Sequence, residues 1–556
     1  MKKINLGISD FKKIIDTNSY FIDKTLIVKE FLEDTGEIVL VPRPRRFGKT
    51  LNMSILRCFL EKSTEDTSYL FKGLNIEKET EIMKKQGSFS LIYLTFKDDK
   101  HNSFKKFIDV FSHKVSSLYG SFKYLLESID DIEKEYFNNI LYRKSSVGEL
   151  EISLLKLTEY INKVTKEKVI ILIDEYDTPI HAGHFENYYN EIIGFMRNFL
   201  SAALKDNVNI EKAMLTGILR VAKESIFSGM NNLKVYTLLS EEYSKFFGFT
   251  EEEISSVLED FNCIDEVNEF KSWYNGYKFG SETIYNPWSV LYYLSERVRE
   301  FKPYWVNTAD DKIIKSLLAE GTEEIKVGLE NLYNGGYVES EINEDVVMSE
   351  LSMDKNNLWS FLLLSGYLNP IEKRKENDIF KYKLAVPNIE IKTMYKRVIE
   401  KWFCEGFISN DFTNMLKALV IGEVELFEEY FSDYVLKSFS YFDISGENPE
   451  RVYHAFILGM LVSLDKTHEI ISNRESGLGR YDVSLIPKVY TEKPGIIMEF
   501  KSIKINSKMT LEKGMENAIK QINNKLYDTE LKTRGVENII KIALVFKGKE
   551  VFIKQA

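Results

Sequence analysis

Val169-Ile170-Ile171-Leu172-Ile173 is apolar at every position and runs straight into Asp174-Glu175. A strand with no polar face needs cover on both sides, so it belongs in a parallel sheet lying between helices. Ile38-Val39-Leu40-Val41, Ser90-Leu91-Ile92-Tyr93-Leu94 and Lys212-Ala213-Met214-Leu215-Thr216 read as further strands of that sheet. Helical patterns over 103–118 and 186–205 lie between them. The spacing predicts an α/β unit that ends near residue 235.

The first strand opens into Arg43-Pro44-Arg45-Arg46-Phe47-Gly48-Lys49-Thr50, with a helix expected from about Thr50. Gly48, Lys49 and Thr50 match the last three positions of G-x-x-x-x-G-K-[ST], the phosphate-binding loop. Arg43 stands where that pattern has its first glycine. A loop between an apolar strand and a helix is the context the chemistry needs. There, backbone N–H groups and the helix N-terminus attract phosphate oxygens. Arg46 and Phe47 belong to the same phosphate-facing turn. Lys49 would reach the terminal phosphates and Thr50 would ligate magnesium. A basic surface turn is the plainer alternative for this segment alone.

The Asp174-Glu175 pair supplies the second half of the signature. Asp174 would hold the magnesium, and Glu175 would orient and deprotonate an attacking water. Thr216, at the end of the next strand, is a candidate sensor of the γ-phosphate. Arg220 is a candidate cation for the developing charge. A helix-capping threonine and a surface arginine are the alternatives for these two.

Together with Tyr20-Phe21-Ile22-Asp23-Lys24-Thr25, Ile173-Asp174-Glu175-Tyr176-Asp177, Thr216-Gly217-Ile218-Leu219-Arg220, Ser225-Ile226-Phe227-Ser228-Gly229 and Tyr285-Asn286-Pro287-Trp288-Ser289, these segments resemble the AAA-ATPase-like family of bacterial proteins. In that family the R-P-R-R-F-G-K-T loop is usual, so Arg43 departs from the general pattern and not from the family. The resemblance covers most of the first 300 residues and implies binding and hydrolysis of Mg-ATP.

A second constellation lies near the C-terminus. Gly479-Arg480-Tyr481-Asp482 is followed, after a polar turn, by Ile496-Ile497-Met498-Glu499-Phe500-Lys501. Residues two apart on a strand share a face, so Glu499 and Lys501 would project together while Phe500 turns into a core. Antiparallel pairing would bring Asp482 beside Glu499. Two carboxylates so placed can hold a hard cation, and Lys501 could position a water or stabilise transition-state charge.

The pattern D-x(n)-E-x-K resembles the PD-(D/E)XK nuclease superfamily, over roughly residues 450–550. So do Ser472-Asn473-Arg474-Glu475-Ser476-Gly477-Leu478, Tyr453-His454-Ala455-Phe456 and the pair Gln521 and Tyr527. The expected order is a helix near 449–465, strands near 468–473, 479–486 and 495–501, a helix near 509–527 and a strand near 539–546. Glu475 reads as a turn residue and His454 as a packed helix histidine. Gln521 is expected on the DNA backbone or orienting Lys501, with a solvated polar position on the helix as the equal alternative. Lys504, Lys508, Lys513, Lys520 and Lys525 add positive charge for phosphate contacts.

Charge supports this division. The chain carries a net −11, which excludes a uniformly basic nucleic-acid coat, yet residues 450–556 hold 18 Lys/Arg against 13 Asp/Glu. The three cysteines, Cys58, Cys263 and Cys404, form no C-x-x-C pair, which argues against a disulfide framework and a thiolate zinc site. Asp10, Lys12, Lys13 and Asp16 interrupt any signal-like apolar run, and no stretch approaches a membrane span.

The expectation is a cytoplasmic, multidomain α/β protein. Residues 1–235 would form an AAA-ATPase-like P-loop domain with a parallel sheet, and 236–400 a mostly helical lid or middle region. Residues 401–448 would form a helical connector, and 449–556 a PD-(D/E)XK nuclease-like domain. Its cofactors would be ATP and Mg²⁺, one ion with the nucleotide and one or two at the nuclease site. DNA and further copies of the chain would be its partners. Its reactions would be ATP hydrolysis and metal-dependent endo- or exonucleolytic cleavage of DNA, with ATP regulating assembly or DNA access. The rivals are a nucleotide-switched DNA-binding regulator without cleavage and a substrate-remodelling ATPase with a C-terminal docking module.

Overall fold

The computed structural model describes residues 3–220, 230–305, 323–333, 335–345, 354–404, 409–438, 457, 460–465, 467–472, 475–476, 479–480, 482–489, 493–503, 507, 509–524, 528–548 and 550–556. The chain divides into two compact units. One is formed by Met1–Asp310 with Glu339–Ile391, and the other by Asp311–Val338 with Lys392–Ala556.

The first unit is built on five parallel strands: β1 (Ile38–Pro42), β2 (Ser90–Thr95), β3 (Val169–Asp174), β4 (Ile210–Gly217) and β5 (Leu233–Val235). Their order across the sheet is β2-β3-β4-β1-β5. Every residue of β1 and β3 is buried, as strands with helices on both faces must be. One side packs Phe107, Phe111, Leu157, Phe195, Met196 and Phe199 against Ile92, Ile171 and Leu215. Strand β4 lies between β1 and β3, pairing Val41 with Thr216 and Ile173 with Leu215. The C-terminal ends of all three strands therefore meet at one edge, where a parallel sheet places its ligands.

The region expected to be mostly helical also contains short strands. Phe249–Thr250, Tyr277–Phe279 and Glu282–Tyr285 form a three-stranded antiparallel sheet. Asn369–Glu376 pairs with Ile379–Ala385 in a longer hairpin. Strands of two to four residues are too short to display a period of two against the surrounding aromatic clusters.

The second unit holds a mixed five-stranded sheet in the order His468–Ser472, Val483–Pro487, Gly495–Ser502, Ile539–Lys547, Glu550–Gln555. Only the third and fourth strands pair in parallel. The last strand was not expected from the sequence. Met498 and Phe500 face a core that includes Phe412, Met415, Phe427 and Phe431. These four side chains come from helices Ser409–Ile421 and Val424–Ser438, so the stretch expected as a connector supplies nine of the 22 buried residues of that core. Helix Leu511–Asn524 contributes Met515, Ala518 and Ile522 to the cores of the opposite face, where Ile497 lies. Most of the helix expected at 449–465, with Tyr453, His454, Ala455 and Phe456, lies outside the described residues. So do residues 225–229, Lys504, Lys508, Lys525, Tyr527 and the side chain of Glu475.

Candidate functional site

The phosphate loop is shaped by two left-handed residues. Arg46 has φ +67° and Gly48 φ +88°, and helix Lys49–Leu60 starts immediately after them. Glycine adopts this geometry freely, whereas Arg46 carries roughly 1–2 kcal/mol of backbone strain. Among the described residues, the amides of Arg46, Phe47, Gly48, Lys49 and Thr50 donate to no backbone carbonyl. A turn with alternating left-handed residues and unbonded amides is a concave nest for an anion, and the helix dipole adds to it.

Side chains behind the loop hold this shape. Phe47 is fully buried, its ring 5.0 Å from Tyr277 and 5.3 Å from Phe279. Its side chain is thus packed behind the loop, which leaves only its main chain to face an anion. Arg43, at the missing-glycine position, is also fully buried. Its guanidinium donates to the carbonyls of Pro42 (2.9 Å) and Tyr236 (2.7 Å) and lies 5.2 Å from the Phe247 ring. Burial pushes its pKa down to about 9, so it stays cationic at neutral pH. Arg43 braces the base of the loop. The indole of Trp305 donates to the carbonyl of Arg45 at 3.1 Å. The exposed Arg46 guanidinium sits 4.1 Å from the ring centre of Trp288.

Lys49 is nearly buried, and its ammonium donates to the carbonyls of Arg43 and Pro44, each at 3.0 Å. Burial lowers its pKa, and Glu175, Asp177 and Asp174 pull it back up. Asp174 is fully buried. One of its oxygens accepts from Thr50 at 2.8 Å and the other from Thr216 at 2.7 Å. Glu175 follows with φ +54°, and its amide donates to the Thr216 hydroxyl at 3.4 Å. Burial raises the Glu175 pKa, against the lowering effect of Lys49. A carboxylate moved in that direction is better suited to accept a proton from water.

Asp177, two residues beyond Glu175, ties the site together. Its Oδ2 accepts the amides of Ile218 (2.7 Å) and Leu219 (3.0 Å), and Tyr176 donates to the Leu219 carbonyl at 2.8 Å. The turn after Thr216 is thereby fixed to the turn after Asp174. Buried His181 lies 3.6 Å from Asp177, and burial lowers its pKa, so it is neutral. Arg220 is engaged by Asp345 at 2.9 Å. The roles of Trp288, Trp305 and Asp177 rest on contacts distant in sequence; the D-E-Y-D and Y-N-P-W-S runs contained Asp177 and Trp288, and nothing signalled Trp305.

In the second unit, Val483 pairs with Met498, which sets Asp482 beside Glu499 at the next step of the ladder. Asp482 accepts the Phe500 amide at 2.7 Å. Glu499 is 1% exposed. Its Oε1 accepts from the Lys501 ammonium at 3.1 Å and from the Gln521 amide. Gln521 therefore reaches the carboxylate itself. A buried carboxylate requires such donors, since an uncompensated one would be strongly destabilising. Among the described residues no group of three or more His, Cys, Asp or Glu is placed to hold a metal. The donor set here is two carboxylates on adjacent strands, which suits magnesium with its remaining positions on water and phosphate.

Two family models match the regions that contain these residues. Residues 5–227 match the family model described as "Predicted AAA-ATPase", and residues 448–556 match that of the PD-(D/E)XK nuclease superfamily. The chain thus carries an AAA-ATPase-like domain at its N-terminus and a domain of that nuclease superfamily at its C-terminus. A protein of Azotobacter chroococcum mcd 1, described as "Uncharacterized protein in vnfD 5'region", is 25% identical over 399 residues, or 70% of this chain and 68% of that one. Among the described residues no helix is long and apolar enough to cross a membrane.

Proposed function

We propose that this protein binds and hydrolyses ATP in its first unit and cleaves DNA in its second, with nucleotide state governing assembly or access to DNA. In this reading residues 1–235 are the ATPase, 236–400 its lid or middle region and 449–556 the nuclease, with 401–448, expected as a connector, packed into the core of that second unit. The observation that carries it is Asp174, buried and gripped by Thr50 and Thr216 behind a turn of unbonded amides.

The amides of residues 46–50 would cradle the phosphates, with Lys49 on the terminal ones and Arg46 alongside. Thr50 and Asp174 would hold magnesium there, and Asp482 and Glu499 would hold it in the second unit. The ion supplies neutralisation of phosphate charge and a more acidic water. Glu175 takes the proton of the water that attacks the γ-phosphorus, and the bond to the ADP oxygen breaks. Thr216 reports the γ-phosphate through its bond to Asp174. Arg220 would join them on leaving Asp345. In the second unit Lys501 holds charge beside the scissile phosphate, and Gln521 keeps Glu499 in place.

The 1% exposure of Glu499 favours a second reading, a nucleotide-switched DNA-binding regulator that does not cut. One experiment separates them: plasmid and single-stranded DNA are incubated with magnesium, with and without ATP, using wild type and Glu499→Ala. Cleavage by wild type alone supports the nuclease. Intact ATPase activity without cleavage by either supports the regulator.

A further inference from the structure

The hairpin Asn369–Glu376/Ile379–Ala385 has no role in either site. All ten residues from 371 to 380 are exposed. Asn377 (φ +48°) and Asp378 (φ +65°) make the tight turn, both left-handed as a type I′ turn requires.

Its register sorts the side chains onto two different faces. Lys373 stands opposite Tyr382 and Lys375 opposite Phe380, so these four share one face. Glu372, Arg374, Glu376, Ile379, Lys381 and Lys383 share the other. The second face neutralises itself: Lys383 pairs with Glu372 at 2.7 Å and Lys381 with Glu376 at 3.0 Å, while Arg374 meets Glu339 at 2.7 Å. The first face has no strand carboxylate. Among the described residues only Asp378 of the turn, itself 93% exposed, meets Lys375, at 2.8 Å, a pairing that water and salt readily weaken. Phe380 is 49% exposed, and the Lys373 ammonium lies 4.4 Å from its ring centre.

We propose that this Lys373–Lys375–Phe380 face binds single-stranded nucleic acid, with a base stacked on Phe380 and phosphates on the two lysines. An exposed aromatic ring flanked by cations is the composition of a sequence-tolerant stacking platform. The open edge of Asn369–Glu376 is a poor template for an added peptide strand, because five consecutive charged residues, 372–376, guard it. Apolar partners find little area here, since Ile379 and Phe380 point to opposite faces. This inference goes beyond the proposed function and does not need the second unit to cut.

The test is fluorescence anisotropy of labelled oligo-dT and oligo-U about 16 nucleotides long, and of a duplex of equal length, without magnesium. Full-length wild type, Phe380→Ala and Lys373→Gln/Lys375→Gln are compared. The expected result is about a tenfold loss on single strands for Phe380→Ala. The double lysine variant should flatten the salt dependence by about 1.4 in log–log slope. Equal affinity for dT and U points to stacking and phosphate alone, and a preference for one adds a contact to the sugar or to the thymine methyl on the same face. ATP binding by the hairpin variants, measured in parallel, reports their folding and tests the nucleotide reading separately. Single-strand affinity unchanged in both hairpin variants, no binding by wild type, or a loss confined to the duplex would overturn the proposal.

Discussion

The hydroxyl of Thr50 lies 2.8 Å from Oδ2 of Asp174, across 124 positions of sequence. The other oxygen of that buried carboxylate is held by Thr216. Three side chains from the ends of three structural elements thus converge on one point beneath the phosphate turn. Removing one donor from a buried carboxylate costs about 1–3 kcal/mol. Thr216→Val should therefore lower the thermal midpoint of the first unit and reduce ATP turnover more than ATP affinity. Thr216→Ser should restore both, as steady-state kinetics and calorimetry can check.

Lys49 is parked on the carbonyls of its own loop, so it can transfer to phosphate without moving the backbone. Lys49→Ala should weaken MgATP binding about ten- to a hundredfold, the value of a charged hydrogen bond or two. Isothermal titration would read this directly, and unchanged affinity would remove Lys49 from the site.

Arg46 rests on half-buried Trp288, a stacking worth about 0.5–1 kcal/mol. Trp288→Ala should raise the KM for ATP about two- to fivefold with kcat nearly unchanged. Trp288→Phe should fall between the two. Binding of ATP should also change tryptophan fluorescence in wild type and much less in Trp288→Phe.

His468 is fully buried, and that burial, reinforced by the charge of Lys493, lowers its pKa to about 4. Its unfolded value is about 6.5. Between those values the unfolded chain binds the proton and the folded one does not, so stability is lost as pH falls from about 6.5 to about 4. It is fully present above that window. Urea midpoints measured across it should slope upward with pH, and His468→Leu should flatten the slope.

Gln521 and Lys501 both donate to Glu499 Oε1. Gln521→Leu should destabilise the second unit by about 1–3 kcal/mol and slow any DNA cleavage. Gln521→Glu should do more damage, since it sets two carboxyl groups together. Denaturant midpoints and plasmid nicking would check this pair.

Much of this was readable from one-dimensional pattern. The all-apolar strands, the G-K-T triplet and the acidic pair carry local signatures, because a buried parallel strand and a phosphate turn are both specified by neighbouring residues. The alternation of Met498, Glu499, Phe500 and Lys501 likewise placed the carboxylate and lysine on one face. What escaped was short or non-local. Strands Leu233–Val235 and Glu550–Gln555 have too few residues or too mixed a pattern to declare themselves. Helices Ser409–Ile421 and Val424–Ser438 read as helices, but nothing in them says which core their apolar stripes fill.

The amino-acid order by itself determined the turn at Gly48, the buried strands on either side of the site and the pairing of chemistry-bearing residues into two sets. Those features depend on backbone freedom, hydrophobic periodicity and residue type within a few positions. The tertiary structure alone decided that β4 lies between β1 and β3, which puts Thr216 on Asp174. It alone turned Arg43 and Phe47 inward, set Arg46 on Trp288 and brought Gln521 to Glu499. Such contacts follow from strand order and packing between distant segments, where the free energy of burial selects partners that no local pattern names.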